Sequence, residues 1–461
     1  MHMARALRSL LSAPDAWPRA LAVLSVCLPC VVAMPAPVAA AGRDATSCAA
    51  PAWPLWQDFQ ARFIQADGRV LDASTPQRHT SSEGQSYGMF FALVAGDQAV
   101  FDRLWKWTEA NLAGGDIGKR LPAWFWGQAP DGAWRVLDAN AAADADLWLA
   151  YDLLEAGRLW GRKDYSASGQ ALLARIEAEE TARLPGLGHM LLPGPMGFDL
   201  PGGIWRLNAS YLPPPVLRRL AGAGNRALWQ EIARNTPAVY AAGVDTGYVA
   251  DWTAYVAPTA ASTSSTPSTA PAAPGAKRAA PAAATPAIAP GAAPAAQAAR
   301  PTGAAGRFAT DPVKGDVGSY DAIRAYMWAG VTPDDDPLAM PLRAAARGMA
   351  AATAALGYPP ESVRTATGVA AGTGPFGFSA ALLPYLQATR RADLLEAQRA
   401  RVQTLLAQAR AHADAAHTQA PYYDYVLTLF GLGWSEGRYR FHITGIVQPS
   451  WETSCRRVSA P

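Results

Sequence analysis

Apolar residues recur at helical spacing through most of this chain. In residues 144–160 they fall at Leu147, Ala150, Tyr151 and Leu154, on one face of a helix. The pattern returns at residues 84–115, 169–184, 319–331, 378–416 and 421–434. Strand-type alternation is scarce, with residues 68–72 and 438–444 the best short cases. The pattern predicts an all-α fold with small β excursions, and helix packing alone allows a bundle, a superhelix or a closed α/α toroid.

One internal stretch has a different composition. Between Tyr255 and Phe308 the chain is mostly Ala, Pro, Ser, Thr and Gly, with no aromatic and no acidic residue. It cannot bury enough apolar surface to offset the entropy of ordering, so a disordered Ala/Pro-rich segment is predicted at about residues 256–310. Composition leaves two arrangements open: a linker between domains, or an insertion in a surface loop, which is tolerated because loop-closure entropy grows slowly with length.

The N-terminus reads as a targeting segment. Arg5, Arg8 and Arg19 accompany a short apolar run that ends in small residues, which predicts a signal peptide over residues 1–41. A membrane anchor is the weaker alternative because prolines interrupt the run. Removing 1–41 subtracts three basic residues and one acidic residue from 40 and 37, leaving 37 against 36 and a net charge of +1. We therefore expect a periplasmic or secreted protein with no nucleic-acid partner and no membrane association after signal removal.

Cysteines and histidines limit the chemistry. After signal removal Cys48 and Cys455 remain, near opposite ends of the chain, and in an oxidising compartment they suggest one disulfide; two unpaired thiols are the alternative. The six histidines are scattered without metal-ligand spacing, and nucleotide-binding and serine-hydrolase motifs are missing from the sequence. No metal and no cofactor are expected, and carboxylates become the favoured catalytic groups.

The chain is rich in tryptophan, with sixteen in all. An indole face stacks on the apolar face of a sugar ring, while polar side chains bind its hydroxyls, so the composition suggests carbohydrate chemistry. Most of these tryptophans are expected in the core. Trp126 and Trp134 flank a loop containing Gly and Pro that is harder to bury, and they are the predicted sugar platforms.

Acidic residues stand at the start of three predicted helices. They are Glu83 in "SSEGQSYGM", Asp144 and Asp146 in "ADADLWLAY", and Asp321 in "GSYDAIRAY", with Arg324 one turn after Asp321. Each could simply cap its helix. If the three helix starts face one mouth, however, their carboxylates converge on one cleft.

Longer motifs make the comparison with known families specific. They are "SSEGQSYGMFFALVAGDQAVFDRLWKWTEANL", "LPAWFWG", "DANAAADADLWLAYDLLEAGRLW", "LGHMLLPG", "WRLNASYLPPPVL", "GSYDAIRAYMWAG", "GPFGFSAALLPYL" and "YYDYVLTLFGLGW". Together these segments resemble glycoside hydrolase family 8, and within it the periplasmic endoglucanases associated with bacterial cellulose synthase complexes. The resemblance covers about Trp53 to Cys455, apart from the Ala/Pro tract.

The resemblance implies an (α/α)6 toroid that hydrolyses β-1,4-glucan with inversion. It assigns Glu83 as the general acid, Asp144 as the residue that grips the sugar at the cleavage point, and Asp321 as the base. Inversion requires Glu83 to be protonated and Asp321 ionised, and Arg324 is expected to favour the ionised form of Asp321. The remaining predicted substrate-binding residues are Asp146, Asn208, Tyr211, Tyr320 and Arg324.

The sequence departs from the family pattern at two positions. Ala143 stands where Ser or Thr is expected, which removes a hydroxyl near Asp144, and Ala209 stands where proline is usual. The resemblance also bears on the tract: Glu83 precedes it and Asp321 follows it, so both flanks must build one site. Residues 42–461 are therefore predicted to form a single catalytic domain with the tract as a loop insertion.

Alternatives to a cellulase remain at this stage. A non-catalytic glucan-binding partner of a cellulose synthase is one, although such a protein would not need all three carboxylates. Family members that act on xylan, chitosan or mixed-linkage glucan are others. Components of a cellulose synthase complex are the expected partners besides the β-1,4-glucan itself.

Overall fold

A computed structural model describes residues 50–242, 244–258 and 306–452. The predicted signal peptide over residues 1–41, the predicted disulfide between Cys48 and Cys455 and the predicted disorder of residues 259–305 lie outside these residues. At its edges the predicted disordered segment is wrong, because Val256 ends one strand and Arg307–Thr310 form another. None of the described helices is both long enough and apolar enough to cross a bilayer.

Helices dominate the described residues. They are α1 (Pro54–Phe63), α2 (Ser82–Val94), α3 (Gln98–Asn111), α4 (Ala143–Trp160), α5 (Lys163–Glu179), α6 (Pro214–Ala221), α7 (Arg226–Ala241), α8 (Ala322–Val331), α9 (Ala339–Ala345), α10 (Gly348–Leu356), α11 (Phe376–Ala388), α12 (Ala392–Ala416) and α13 (Tyr422–Ser435). A 3₁₀ turn covers Ala209–Tyr211.

Short strands join these helices. They are β1 (Thr80–Ser81), β2 (Phe125–Gln128), β3 (Trp134–Asp138), β4 (Thr181–Leu184), β5 (Gly188–Leu191), β6 (Asp199–Leu200), β7 (Ile204–Leu207), β8 (Thr253–Val256), β9 (Arg307–Thr310), β10 (Val317–Gly318), β11 (Ser362–Arg364), β12 (Ala370–Ala371), β13 (Tyr439–Phe441) and β14 (Val447–Pro449). They form sheets in the orders β1-β2-β3, β4-β5, β6-β7-β8-β9, β10-β11-β12 and β13-β14, all antiparallel.

Burial separates the helices into two layers. α8 is buried at every residue, and α2 at every residue except Glu83, whereas α3, α5 and α12 bury only one face. Consecutive inner helices pack together in the order α2, α4, α6, α8, α11 and α13. Each inner helix carries an outer partner: α3, α5, α7, α9, α12 and α1, respectively.

Phe430 of α13 closes the inner ring. Its ring centroid lies 4.7 Å from that of Phe91 on α2, 5.6 Å from that of Trp148 on α4 and 5.3 Å from that of Trp328 on α8. Such aromatic contacts fill the centre of the ring with large apolar area, which is the main favourable term in folding. Among the described helices, six inner and six outer ones make the (α/α)6 toroid that the resemblance implied, with α10 as an additional short helix, and the predicted fold class is confirmed.

Two strand predictions met different outcomes. Residues 438–444 contain β13, as expected. Residues 68–72 make only isolated bridges, from Val70 to Ile64 and from Asp72 to His79, because no neighbouring strand continues the ladder there.

The predicted helix at 169–184 ends early: α5 stops at Glu179, and residues 181–184 pair with β5 instead.

The Ala/Pro tract is inserted between two paired strands. β8 ends at Val256, β9 begins at Arg307, and these two residues are directly opposite each other in the antiparallel ladder. A hairpin of this kind can be closed by a short turn, so the fold does not need a long connection here.

We therefore expect that replacing residues 259–305 by a four-residue turn containing Asn-Gly leaves folding and hydrolysis intact. Shortening the loop between Val256 and Arg307 from about 50 residues to about seven stabilises the folded state by roughly 2 kcal/mol in loop-closure entropy. Thermal unfolding and activity of the deletion variant check this. A fall of many degrees in Tm would contradict it.

Candidate active site

Three inner helices bring their N-terminal ends together. Glu83 is the second residue of α2, Asp144 is the second residue of α4, and Asp321 immediately precedes α8. The start of α2 is fixed by Ser81, whose hydroxyl accepts a hydrogen bond from the Gly84 backbone N–H at 3.0 Å. Gly84 is needed for close packing, because a Cβ there would lie 2.8 Å from the Tyr422 hydroxyl oxygen.

A single buried arginine joins the three carboxylates. Arg324 Nη1 donates to Glu83 Oε2 and to Asp144 Oδ2, the latter at 2.8 Å, while Nη2 donates to Asp321 Oδ1 at 3.0 Å. Nη1 also donates to the Tyr87 hydroxyl at 3.0 Å. The Arg324 side chain is only 3 % exposed, whereas 23 % of Glu83 and 35 % of Asp321 remain accessible. The three acidic residues therefore surround one cation, and two of them, Glu83 and Asp321, are accessible to solvent while Asp144 is buried.

Asp144 is held without the hydroxyl that Ala143 lacks. Its Oδ1 accepts a hydrogen bond from the Ala145 backbone N–H at 2.9 Å, and its Oδ2 is bound by Arg324. Both carboxylate oxygens therefore have a donor that fixes their direction. The departure from the family motif at residue 143 does not leave Asp144 unoriented.

Burial sets the protonation of Glu83. It raises the pKa of Glu83 to about 8, against the opposing charge of Arg324 and with the added repulsion of Asp144 and Asp321. Glu83 is therefore mostly protonated at neutral pH, as a general acid must be.

Asp321 is tuned less simply than the sequence suggested. Burial raises the pKa of Asp321, while Arg324 and a hydrogen bond from Trp252 lower it. The sequence predicted the influence of Arg324 correctly in sign but did not anticipate that burial outweighs it.

The raised pKa of Glu83 makes stability depend on pH. The folded protein keeps a proton on Glu83 that the unfolded chain releases above a pKa of about 4.3, so this group makes the free energy of unfolding fall as pH rises from 5 to about 8. Glu83→Gln cannot ionise and should lack this fall. We expect the difference in unfolding free energy between wild type and variant to change by a few kcal/mol, at most about 4, across that range.

Urea denaturation at the two ends of the pH range measures this difference. Glu396→Gln is the control, because the Glu396 side chain is 66 % exposed and should show no such change. A difference for Glu83→Gln that is independent of pH would contradict the assignment of a buried proton.

Two neighbours of Asp321 escaped sequence reasoning. Trp252 Nε1 donates to Asp321 Oδ2 at 2.9 Å. Asp251 accepts hydrogen bonds from the Ser319 and Ala322 backbone N–H groups at 2.6 and 2.8 Å, which anchors the start of α8. Both residues precede the Ala/Pro tract, about 70 positions from Asp321, and no local motif links them to it. Tyr87, which accepts a hydrogen bond from Arg324, lies four residues after Glu83 in the same motif, and the sequence alone assigns it no role.

Two predicted substrate-binding tyrosines lie beside this centre. The Tyr211 ring centroid is 5.8 Å from the Arg324 Cζ and 6.1 Å from the Trp252 ring. Tyr320 is adjacent to Asp321 in sequence and 45 % exposed, and its ring packs against Phe378 at 5.0 Å. Both rings are therefore placed where a sugar next to the carboxylates could contact them.

Asp146 does not fit its predicted role. It is fully buried, close to the equally buried Glu180, so no part of its side chain is accessible to a sugar. The helical period explains the error: Asp146 is two positions from Asp144, and residues two apart on a helix point in different directions.

Asn208 is also mainly structural in this arrangement. It is 3 % exposed, and its Oδ1 accepts hydrogen bonds from the Ser210 backbone N–H at 2.9 Å and the Ser210 hydroxyl at 2.7 Å. These bonds cap the 3₁₀ turn that begins at Ala209. Direct sugar binding through Oδ1 would have to displace them.

Trp126 and Trp134 stack on each other rather than standing apart. Their ring centroids are 5.2 Å apart with planes 20° from parallel, and the Arg69 guanidinium lies over both. Trp126 also meets the buried Trp107 edge-on at 5.2 Å. Only Trp134, 42 % exposed, keeps substantial open surface. Trp124, which the sequence did not single out, is 37 % exposed and lines a cleft of about 480 Å³ with Phe125 and Leu137.

Within residues 50–242, 244–258 and 306–452, no cluster of three or more His, Cys, Asp or Glu side chains could hold a metal ion.

The centre around Arg324 supplies two carboxyl groups in different environments, Glu83 and Asp321, which are hydrogen-bonded to different terminal nitrogens of one guanidinium group. It can protonate a leaving group with one and activate water with the other. A toroid of paired helices with such a centre defines a carboxyl-based glycoside hydrolase.

The chain belongs to family 8 of the glycosyl hydrolases: the sequence profile "Glycosyl hydrolases family 8" matches residues 32–280 and 301–437. It is 43 % identical to an endoglucanase of Pseudomonas fluorescens over 410 residues, covering 87 % of this chain and 92 % of that protein. It is likewise 43 % identical to an endoglucanase of Xanthomonas axonopodis pv. citri over 418 residues, covering 90 % and 94 %.

A solved structure has the same fold. The endo-1,4-D-glucanase from Vibrio fischeri aligns over 87 % of this chain and 99 % of its own, with a TM-score of 0.71 and 36 % identity. The endo-beta-1,4-glucanase CMCax from Acetobacter xylinum aligns over 82 % of this chain and 96 % of its own, with a TM-score of 0.58 at 22 % identity, which supports the fold alone.

Proposed function

We propose that this glycoside hydrolase is an endo-β-1,4-glucanase that cleaves cellulose chains with inversion. Glu83 is the general acid, Asp321 is the general base, and Asp144 grips the sugar at the cleavage point. The observation that carries the proposal is the position of Arg324, which binds Glu83 through one terminal nitrogen and Asp321 through the other. The two carboxyls thus belong to one centre and are separated by a guanidinium group.

The chemistry follows from the two environments. Glu83, protonated up to about pH 8, gives its proton to the glycosidic oxygen as the bond from that oxygen to the anomeric carbon breaks. Asp321 takes a proton from a water molecule that attacks the anomeric carbon from the opposite face. Inverting enzymes keep their two carboxyls roughly 6.5–9.5 Å apart so that this water fits.

Aromatic side chains around the centre provide the sugar contacts. Tyr320 and Tyr211 are proposed to pack against sugars adjacent to the cleaved bond, and Trp134 to extend the binding surface beyond them. The flat faces of β-1,4-linked glucose residues suit such rings because their axial C–H groups are apolar.

The substrate class follows the relatives. The curated proteins to which this chain is 43 % identical are named endoglucanases, and the Vibrio fischeri structure is an endo-1,4-D-glucanase. The test measures the viscosity and reducing ends of a carboxymethylcellulose solution. An endo-acting enzyme lowers viscosity sharply while few reducing ends appear. No fall in viscosity would contradict the proposal, and preferential cleavage of xylan, chitosan or mixed-linkage glucan in parallel assays would reassign the substrate.

We also propose that the protein acts in the periplasm or outside the cell, on glucan made by a cellulose synthase complex. The support is the predicted signal peptide over residues 1–41 and the resemblance to endoglucanases associated with such complexes. Fractionation of cells that produce the full chain, with the mature N-terminus determined by mass spectrometry, tests the location. Protein retained in the cytoplasm with residues 1–41 attached would contradict it.

A further inference from the structure

Trp252 completes the hydrogen bonding of Asp321. Its indole Nε1 donates to Oδ2 at 2.9 Å, while Arg324 donates to Oδ1 at 3.0 Å. Two donors on different oxygens fix the plane of the carboxyl group. They thereby set the direction of the remaining lone pairs, one of which must face the attacking water.

Phe198 and Arg206 contact the Trp252 ring and hold it in place. It stacks on Phe198 with centroids 5.6 Å apart and planes 9° from parallel. The Arg206 guanidinium carbon lies 4.7 Å from the Trp252 ring centroid, within the range of a cation–π contact. The backbone N–H of Arg206 also donates to the Phe198 carbonyl oxygen at 2.8 Å, which links the backbones of these two residues.

Asp311 fixes the Arg206 side chain. Arg206 Nε and Nη2 donate to the two oxygens of Asp311 at 2.7 and 3.1 Å, a bidentate geometry that allows little rotation. The Asp311 side chain is fully buried and also accepts from the Val313 and Lys314 backbone N–H groups at 2.9 and 2.7 Å. Arg206 lies on β7, directly opposite Ala254 of β8. Ala254 follows Trp252 by two residues in the sequence.

We propose that the Arg206–Asp311 ion pair is a positioning pair for the general base, acting through Trp252. The pair holds the indole where its N–H meets Asp321, and neither member of the pair touches the reacting atoms. The inference rests on the proposed role of Asp321. It also gives the sheet β6–β9 a function: the strands on either side of the Ala/Pro tract support the side chain that orients the base.

The pair can be altered without changing the charges that face Asp321 directly. Those charged and titratable groups come from every element packed around it: Glu83, Asp144, Tyr211, Asp251, Arg324 and Tyr423. Arg206 and Asp311 are not among them, and the double-mutant cycle with Trp252→Phe separates an effect transmitted by the indole from the direct loss of the Arg206 charge.

The test compares Arg206→Gln with Arg218→Gln. Arg218 makes an equivalent bidentate pair with Asp336, at 2.8 and 2.7 Å, and Asp336 is likewise buried and also accepts a backbone N–H bond. Both variants lose one guanidinium from a buried carboxylate, so both should lose stability. The Arg218 pair therefore controls for a purely structural effect.

We expect Arg206→Gln to lower kcat on cello-oligosaccharides about tenfold with KM changed by less than about twofold. The acid limb of the kcat profile against pH, which reports the base, should move to higher pH because the Trp252 hydrogen bond to ionised Asp321 is weakened. The alkaline limb, which reports Glu83, should stay in place. Arg218→Gln should leave kcat and both limbs unchanged.

A double-mutant cycle tests the route through Trp252. In a Trp252→Phe background, which removes the indole donor, Arg206→Gln should lower kcat by less than about twofold further. Full additivity of the two effects would overturn the proposal, as would an Arg206→Gln profile that matches that of Arg218→Gln.

Asp321→Asn separates this inference from the proposed function. If Asp321→Asn retains full activity, Asp321 is not the base and the function itself fails. If Asp321→Asn is inactive while Arg206→Gln behaves as Arg218→Gln, only the positioning role is lost.

Discussion

Glu83→Gln should lower kcat on carboxymethylcellulose about a thousandfold or more while the affinity for cello-oligosaccharides stays within a few-fold of wild type. The amide keeps the size and the hydrogen-bonding capacity of the carboxyl group but has no proton to transfer. Glu83 lies at the N-terminus of α2 and accepts a hydrogen bond from Arg324, and burial raises the pKa of Glu83 to about 8. Reducing-end assays and calorimetric titration measure the two quantities.

An activated substrate identifies the step that is lost. The 2,4-dinitrophenolate leaving group departs without protonation, so Glu83→Gln should cleave 2,4-dinitrophenyl β-cellobioside at a rate within about tenfold of wild type. A variant that is equally slow on both substrates would show that Glu83 does something other than donate the proton. Wild-type release of reducing ends from carboxymethylcellulose would remove it from catalysis altogether.

Asp321→Asn should be as severely impaired, for the opposite reason. The amide cannot accept a proton from water, and its single oxygen can keep only one of the two hydrogen bonds that Arg324 and Trp252 donate to different oxygens of Asp321. We expect kcat to fall by about a thousandfold on every substrate, including the aryl cellobioside, because activation of water is required whatever the leaving group. Steady-state kinetics on the two substrates check this.

Azide provides the positive control for the base. Asp321→Ala opens space on the water side, and azide is a nucleophile that needs no deprotonation. Activity on the aryl cellobioside should therefore return with added azide, giving the α-glycosyl azide. Rescue of Glu83→Gln by azide, with none for Asp321→Ala, would reverse the two assignments.

The periodicity of the sequence was sufficient to predict the helices, and the motifs to predict the centre. Apolar residues recur at helical spacing at residues 144–160 and 421–434, and these segments form the buried helices α4 and α13. Glu83, Asp144 and Asp321 were each found because an acidic residue opens a buried helix within a long motif. Closure of the ring came only from the resemblance, because periodicity carries no information on long-range packing.

The missed residues share a physical reason. Trp252 donates to Asp321, and Asp251 accepts from Ser319 and Ala322 on either side of it, through tertiary contacts between segments about 70 residues apart. Nothing in the local sequence of Trp252 and Asp251 distinguishes them from core residues. Asp146 was predicted to bind substrate because it lies two residues after Asp144 in the same motif. In the helix, however, its side chain is buried near Glu180. The sequence also does not show that Trp126 is largely covered. Trp134 of β3 and Trp107 of α3 pack against it in the folded protein.

The anomeric form of the first product tests the central account most directly. Proton NMR during hydrolysis of cellopentaose by the wild-type enzyme records which anomer appears before mutarotation mixes them. Water activated by Asp321 on the face opposite the proton donor Glu83 should yield the α-anomer first. Initial formation of the β-anomer would mean that one carboxyl attacks the sugar covalently, and would contradict the acid and base roles assigned across Arg324.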